Sequence, residues 1–265
     1  MKRWINGLSS RQRVGAALVT FLVLFAVLEG LFNPGDPARQ HLAHAFASPT
    51  LSEPLGTDQY GRSMLARMGA ALRLSLLLSL LCVITSASIG VALGVAAGWR
   101  QGWTDRLLSL VLNMVLALPG LVLILLVAGL APGSLPMLYL AISLVLWVEY
   151  FRVTRAITRS VVGSAQMQAS RMLGFGWFYC MRRHLWPALA GPVLTLAAFG
   201  AAGAIMALAA LGFVAVGLRP PTAELGLMMV ELFPYYSEAP WVLAQPVLAV
   251  FVLVFGLNLL AGRDQ

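Results

Sequence analysis

Charge is scarce in this chain. Only 11% of its 265 residues are Asp, Glu, Lys or Arg, whereas 60% are hydrophobic and the mean hydropathy is +0.84. A soluble domain of this length cannot bury so much apolar surface, so the composition belongs to polytopic membrane proteins. Cysteine is scarce too: Cys82 falls in an apolar run and Cys180 in a basic one. That distribution encodes neither a disulfide framework nor a paired metal site, and packing is the expected role of both thiols. The sequence has no phosphate-binding P-loop, no GxSG with a partner histidine, no HExxH and no aspartate cluster fit to face a headgroup. The chain is therefore expected not to be an enzyme, to hydrolyse no ATP and to hold no metal or cofactor of its own. His41 and His44 stand alone in an alanine- and proline-rich segment and read as solvated loop residues.

Ionisable residues are also missing from the middle of the apolar runs; Glu29 and Glu149 fall near run ends, where they are expected to reach water. A proton- or sodium-coupled carrier normally needs buried charge or broken, repeated helices at mid-membrane. Driving energy is thus expected to come from elsewhere.

What the chain does have is a series of apolar runs long enough to cross about 30 Å of hydrocarbon. Six are expected, over residues 14–32, 74–97, 107–130, 135–150, 189–216 and 242–261, the first read as a retained signal anchor. The fold class is accordingly all-α, with residues 1–73 forming an N-terminal anchor and outer loop and 74–265 the membrane core. The formal charge of +8 is distributed between spans rather than gathered with exposed aromatics, which argues against a nucleic-acid surface. With the N-terminus inside, the inner segments hold Lys2, Arg3, Arg11, Arg13, Arg100, Arg106, Arg152, Arg155, Arg159, Arg171, Arg182, Arg183 and Arg263, thirteen of the eighteen basic residues. The outer segments hold Arg39, Arg62, Arg67, Arg73 and Arg219, diluted by six acids. The positive-inside rule then sets both termini and the segment 152–187 in the cytoplasm.

That segment is the unusual one. Arg152, Arg155 and Arg159 recur at helical spacing, so a helix is expected to leave the fourth span and run to Leu173. Gly174 stands where a positive-φ cap belongs, and residues 175–185 are expected to form a second short helix ended by Pro187, with Phe178, Met181 and Leu185 on one face. Ordering some thirty residues outside the bilayer costs conformational entropy that a short connection avoids, which suggests a partner in the cytoplasm. The competing reading is an interfacial loop whose arginines meet lipid phosphates, in a scaffold or small secondary carrier that uses no ATP.

Small residues line two spans. Gly90, Gly94 and Gly98 recur every four residues in the second, and Gly200, Gly203, Ala204, Ala207 and Ala210 mark the fifth. Such stripes let helices approach closely, either for packing or to line a pathway where helices rock against one another. Pro119, followed by Gly120, should kink the third span, as a structural feature or as a gate.

The segment Gln168-Ala169-Ser170, three residues, Gly174, nine residues, His184-Leu185-Trp186-Pro187 resembles the cytoplasmic motif of bacterial ABC importer permeases, in the dipeptide, oligopeptide and nickel branch. Residues 55–62, Leu-Gly-Thr-Asp-Gln-Tyr-Gly-Arg, continuing to Arg67 and Arg73-Leu74-Ser75-Leu76, are similar to that branch's signature before the second span. Residues 213–217 with Pro220-Pro221, Gly226 and Met228 resemble its motif after the fifth span, and 257–260 its C-terminal one. Gln168 stands where the family carries an acid, Ser170 where it carries alanine, Ser63 where an aspartate is usual and Leu225 where a tryptophan is typical. The resemblance implies a type I importer permease fold in which Gln168, Ala169, Ser170, Gly174, Phe175, Phe178, Met181, His184 and Pro187 belong to a coupling helix that docks on an ATPase subunit. It also implies a second homologous permease, two ATP-binding cassette subunits, which would bind the ATP, and an extracytoplasmic substrate-binding protein. By position, the outer segments 33–73 and 220–240 would meet the last of these.

Overall fold

The computed structural model describes residues 9–32 and 35–262, so Lys2, Arg3 and Arg263, which enter the charge asymmetry above, lie outside the described residues. Nine helices cover most of the described residues: α1 (Ser10–Phe32), α2 (Met64–Arg100), α3 (Gly102–Leu116), α4 (Gly120–Gly129), α5 (Leu135–Val162), α6 (Ala165–Met172), α7 (Trp177–Phe213), α8 (Leu225–Leu232) and α9 (Pro240–Ala261). Among the described residues there is no strand, only one isolated bridge between Thr57 and Ser63. Helices α1, α2, α5, α7 and α9 are each long and apolar enough to cross a membrane. The third expected span, 107–130, falls on the broken pair α3 and α4, bent by 80°. Pro119 causes the break. It sits at φ −56° and ψ 133° as the residue before α4, and the preceding Leu118 is biased out of helical geometry by the ring that follows it.

The frame of the bundle is the close pairing of α2 with α5. In lipid there is little hydrophobic drive between helices, so contact depends on how closely two backbones can approach. A Cβ at Gly90 would lie 2.6 Å from the Trp147 carbonyl, one at Gly94 2.8 Å from that of Phe151, and one at Gly98 2.7 Å from Thr158 Cβ. The stripe therefore faces this chain's own α5. Around it, α1 and α7 flank α9, α4 lies on α5, and α8 is wedged between α7 and α9. Gly226 of α8 sits so close to Ala209 that a Cβ would fall 2.1 Å from its carbonyl oxygen.

Helix α2 begins ten residues before the expected second span and crosses position 73 without a break. The added turns contain Arg67 and Arg73, which look too polar for a continuous apolar helix until their partners are seen. Arg67 and Arg62 share Asp58 and Glu231 in a buried cluster, with Arg67 Nη2 to Glu231 Oε2 at 2.6 Å, Arg62 Nη2 to the same oxygen at 3.1 Å and Arg67 Nε to Asp58 Oδ2 at 3.4 Å. Arg62 Nε also donates to Asp58. Two positive and two negative groups balance there, joining the outer segment to α8. Arg73 donates to Glu29 and to the Ala26 carbonyl of α1. Glu29 is accordingly buried and paired, and does not reach water as the sequence suggested; Glu149 is exposed. The turn that brings Asp58 to Arg62 needs Gly61 at φ +67°, where a Cβ would also meet the His41 carbonyl at 1.9 Å.

Glu224 stands at the start of α8. Its carboxylate accepts from the backbone N–H of Gly226 at 2.9 Å and of Leu227 at 2.7 Å, capping α8. Burial nevertheless pushes its pKa up, from an ordinary 4.5 to about 6. The folded chain thus holds this proton more tightly than the unfolded chain, so the cap is favoured at and below pH 4.5 and loses stability as pH rises through about 6.

Two outcomes follow. Gly94→Val should lower the thermal midpoint in detergent by an amount equivalent to about 1–3 kcal/mol of overpacking, while Gly129→Val, where no neighbour lies within 4 Å of a Cβ, should change it far less. Relative to Glu224→Gln, the wild-type midpoint should rise when the pH falls from neutral to about 5, by an amount equivalent to about 1 kcal/mol; a pH-independent difference would contradict the burial argument.

Candidate functional site

The segment between α5 and α7 is built from local backbone chemistry. Helix α5 ends at Gly163, and Ser164 starts α6 by accepting from the Met167 N–H at 3.3 Å while donating to the Val161 carbonyl at 2.7 Å. The single helix expected from Arg152 to Leu173 is therefore two helices, because the Ser164 side chain competes for backbone groups at the junction. At the other end of α6, Gly174 has φ +81°, its N–H reaches the Arg171 carbonyl at 3.0 Å, and the Phe175 N–H reaches the Ser170 carbonyl at 3.1 Å. These two bonds form a complete Schellman cap, the geometry for which a glycine is required. No atom lies within 4 Å of a Cβ built on Gly174, so the constraint is conformational rather than steric.

Pro187 does not end the second helix. Helix α7 runs from Trp177 to Phe213, and Met181–Leu185 forms a π turn in which the Trp186 N–H bonds the Met181 carbonyl. The wider turn relieves the clash a proline ring would make with the carbonyl four residues earlier, and the chain continues as the fifth span. The added residue in the turn also shifts the helical register. Phe178 is 70% exposed while Leu185 is fully buried, so the expected shared face of Phe178, Met181 and Leu185 is divided between solvent and core.

The expected residues Gln168, Ser170, Gly174, Phe175 and His184 are brought together in one hairpin. Ser170 Oγ and His184 Nε2 are 2.8 Å apart, linking α6 to the π turn across Gly174. The Gln168 amide donates to the Gly163 carbonyl at 3.3 Å, a bond that a carboxylate at this position could not give. Met167, Cys180 and Leu185 fill the interior, and Phe175 stacks on Tyr179 with ring centroids 4.2 Å apart. Ala169 is exposed on the α6 arm of this hairpin, and Pro187 is exposed just after the π turn. The outer edge is apolar and open: Met172 is 89% exposed and Leu173 76%, with Phe175 and Phe178 beside them. Arg182 and Arg183 are exposed nearby.

The second set of expected residues is dispersed. Gly90, Gly94 and Gly98 lie against α5, and Gly200 lies where a Cβ would be 2.9 Å from the Tyr150 hydroxyl. Gly203 is open, in a groove of about 390 Å³ that it shares with Gly120, Leu121, Met206 and Ala210, next to the Pro119 break. His41 and His44 are exposed, and among the described residues no group of three or more His, Cys, Asp or Glu is placed to hold a metal ion.

Two features escaped sequence reasoning. The buried Asp58, Arg62, Arg67 and Glu231 cluster joins residues up to 173 positions apart. The motif at residues 55–67 holds Asp58, Arg62 and Arg67, but nothing in it points to Glu231. Arg171 lies 4.7 Å over the Trp99 ring, and Trp99 meets Trp177 edge-on with centroids 6.2 Å apart. A tryptophan beside Arg100 at the end of a span was the available hint.

Comparison with known proteins gives this architecture its context. Residues 90–263 match the family described as binding-protein-dependent transport system inner membrane component. The chain is 37% identical over 253 residues to the dipeptide transport system permease protein DppC of Escherichia coli K12, covering 93% of this chain and 84% of that one. It is 32% identical over 265 residues to the di/tripeptide transport system permease protein DppC of Pseudomonas aeruginosa, covering 97% and 87%. It is 31% identical over 262 residues to the nickel transport system permease protein NikC of Escherichia coli K12, covering 97% and 95%. With the family match extending from the glycine stripe of α2 to the end of α9, and the relatives aligning along nearly the whole chain, this all-α membrane protein belongs to the inner-membrane permease components of binding-protein-dependent ABC importers.

Proposed function

We propose that the chain is the second permease of a type I importer, in which the hairpin of α6 and the first turns of α7 faces the cytoplasm and docks on an ATP-binding cassette subunit. The chain itself carries out no catalysis; two such subunits bind and hydrolyse the ATP. Both termini lie inside, and the outer segments meet a substrate-binding protein, for which exposed Phe233 and Tyr236 beside the charge cluster offer apolar contact area. A homologous permease completes the pathway. The open groove at Gly203, Gly120 and Met206 next to the Pro119 break is the surface of this chain best suited to line it. Peptides and nickel complexes are the two cargo classes that the relatives' names support.

The observation that carries the reading is the apolar edge of Met172, Leu173, Phe175 and Phe178, held out by a hairpin that is itself fixed by a Schellman cap and the Ser170 to His184 hydrogen bond. A flexible lipid-binding loop needs no such preorganisation. A protein groove gains from it, since the ordering cost is met before association.

Gly174→Val tests this directly. The left-handed backbone costs a side chain about 1–2 kcal/mol, and the branched side chain projects into open space at the docking edge. ATPase subunits should cease to co-purify with the variant while its expression and membrane insertion persist. Gly176→Ala is the control, at φ −70° with no atom within 4 Å of a Cβ, and should retain association. Equal co-purification of both variants, with anionic lipid alone affecting the segment, would favour the scaffold reading.

A further inference from the structure

Helix α2 has 37 residues, which makes it about 55 Å long and well beyond the roughly 30 Å of hydrocarbon it crosses. Both ends are fixed to surfaces on opposite sides. At the outer end Arg67 is held in the buried cluster by Asp58 and Glu231, which ties α2 to the outer segment and to α8. At the inner end Trp99, next to the last residue of α2, lies under the Arg171 guanidinium and in an edge-type contact with Trp177. Those two residues flank the Gly174 cap, one on α6 and the other at the start of α7. The hairpin between them is closed by Ser170 and His184, so the two contacts on Trp99 come from one preassembled unit. Along the rod, Gly90, Gly94 and Gly98 lock α2 to α5 and oppose its bending independently of that helix.

We propose that Trp99 is the positioning residue that ties the docking hairpin to α2, so that displacement of the hairpin is delivered along α2 to the outer charge cluster. This rests on the importer reading above. Trp99 suits the role chemically. Its face attracts the Arg171 cation, its ring meets that of Trp177 in an edge-type contact, and neither contact requires a buried charge to move through lipid. Because α2 is continuous and locked to α5, a shift at Trp99 displaces the helix as a body. The outer cluster, where two carboxylates are each shared by two arginines, is the element that would have to follow or break.

The test uses the whole complex, purified with its partner permease and ATPases and reconstituted in nanodiscs, with ATP hydrolysis measured alone and with the substrate-binding protein. That protein is loaded in one series with a dipeptide mixture and in another with nickel chloride, and the series that stimulates the wild type is used. Trp99→Leu and Arg171→Gln should assemble normally and keep basal hydrolysis, yet lose about three-fold or more of the stimulation by binding protein. Trp99→Tyr, which keeps an aromatic face, should recover most of it, and the double variant Trp99→Leu with Arg171→Gln should be no worse than Trp99→Leu alone. Full stimulation in both single variants would overturn the proposal, as would losses that multiply in the double variant. A loss that appears as weaker co-purification rather than weaker stimulation would overturn it as well, since that is the signature of a docking role. If wild-type chain captures no ATPase at all, it is the importer reading that fails.

Discussion

The close approach of α2 to α5 along Gly90, Gly94 and Gly98 is the contact on which the other features depend. Each glycine admits backbone or side-chain atoms of α5 at distances no Cβ would allow, and successive contacts step along α5 from Trp147 to Thr158. Lipid offers helices no hydrophobic reward for pairing, so this backbone proximity is what sets their register. Helix α5 then carries the α6 and α7 hairpin at one end of the pair, and α2 carries the charge cluster at the other. A pair of helices joined along their length converts two remote surfaces into parts of one body.

The charges in the chain are distributed according to that body. Where the membrane core would penalise an ion, the side chains are apolar or small. At the margin where α2 extends past its apolar stretch, each arginine has a carboxylate from another element: Glu231 and Asp58 for Arg67 and Arg62, Glu29 for Arg73. Removing one member of such a cluster leaves an uncompensated buried charge, a loss on the order of 3–5 kcal/mol. The cluster therefore specifies which loop sits over which helix more than it adds stability in itself. At the opposite margin the hairpin is held by hydrogen bonds, aromatic contacts and a capped turn, which leaves its apolar edge exposed.

The spans were legible where hydropathy and length decide them. α1 and α9 fall within a few residues of expectation, because an apolar run bounded by polar residues has only one reading in lipid. The cap at Gly174 was legible because a positive-φ position selects glycine whatever surrounds it. The early start of α2 was not, since Arg67 and Arg73 are neutralised by Glu231 and Glu29, 164 and 44 residues away. Pro187 was misread for a related reason. Its effect depends on whether the preceding turn widens, and nothing in the residues Met181 to Leu185 announces a π turn. The divided fates of Phe178 and Leu185 follow from that same shift in register. Trp99 and Arg171 lie 72 positions apart, and only the folded hairpin brings the cation to the ring.

The central claim is that the α6 and α7 hairpin lies on the cytoplasmic side with its apolar edge against an ATPase. A cysteine at Phe178 reports on this most directly, because the native Cys82 and Cys180 are buried. In inverted membrane vesicles, Phe178→Cys should react with a membrane-impermeant maleimide when the permeases are expressed alone and be protected when the ATPases are expressed with them. Labelling from the outer face of right-side-out vesicles, or equal labelling with and without the ATPases, would contradict the account.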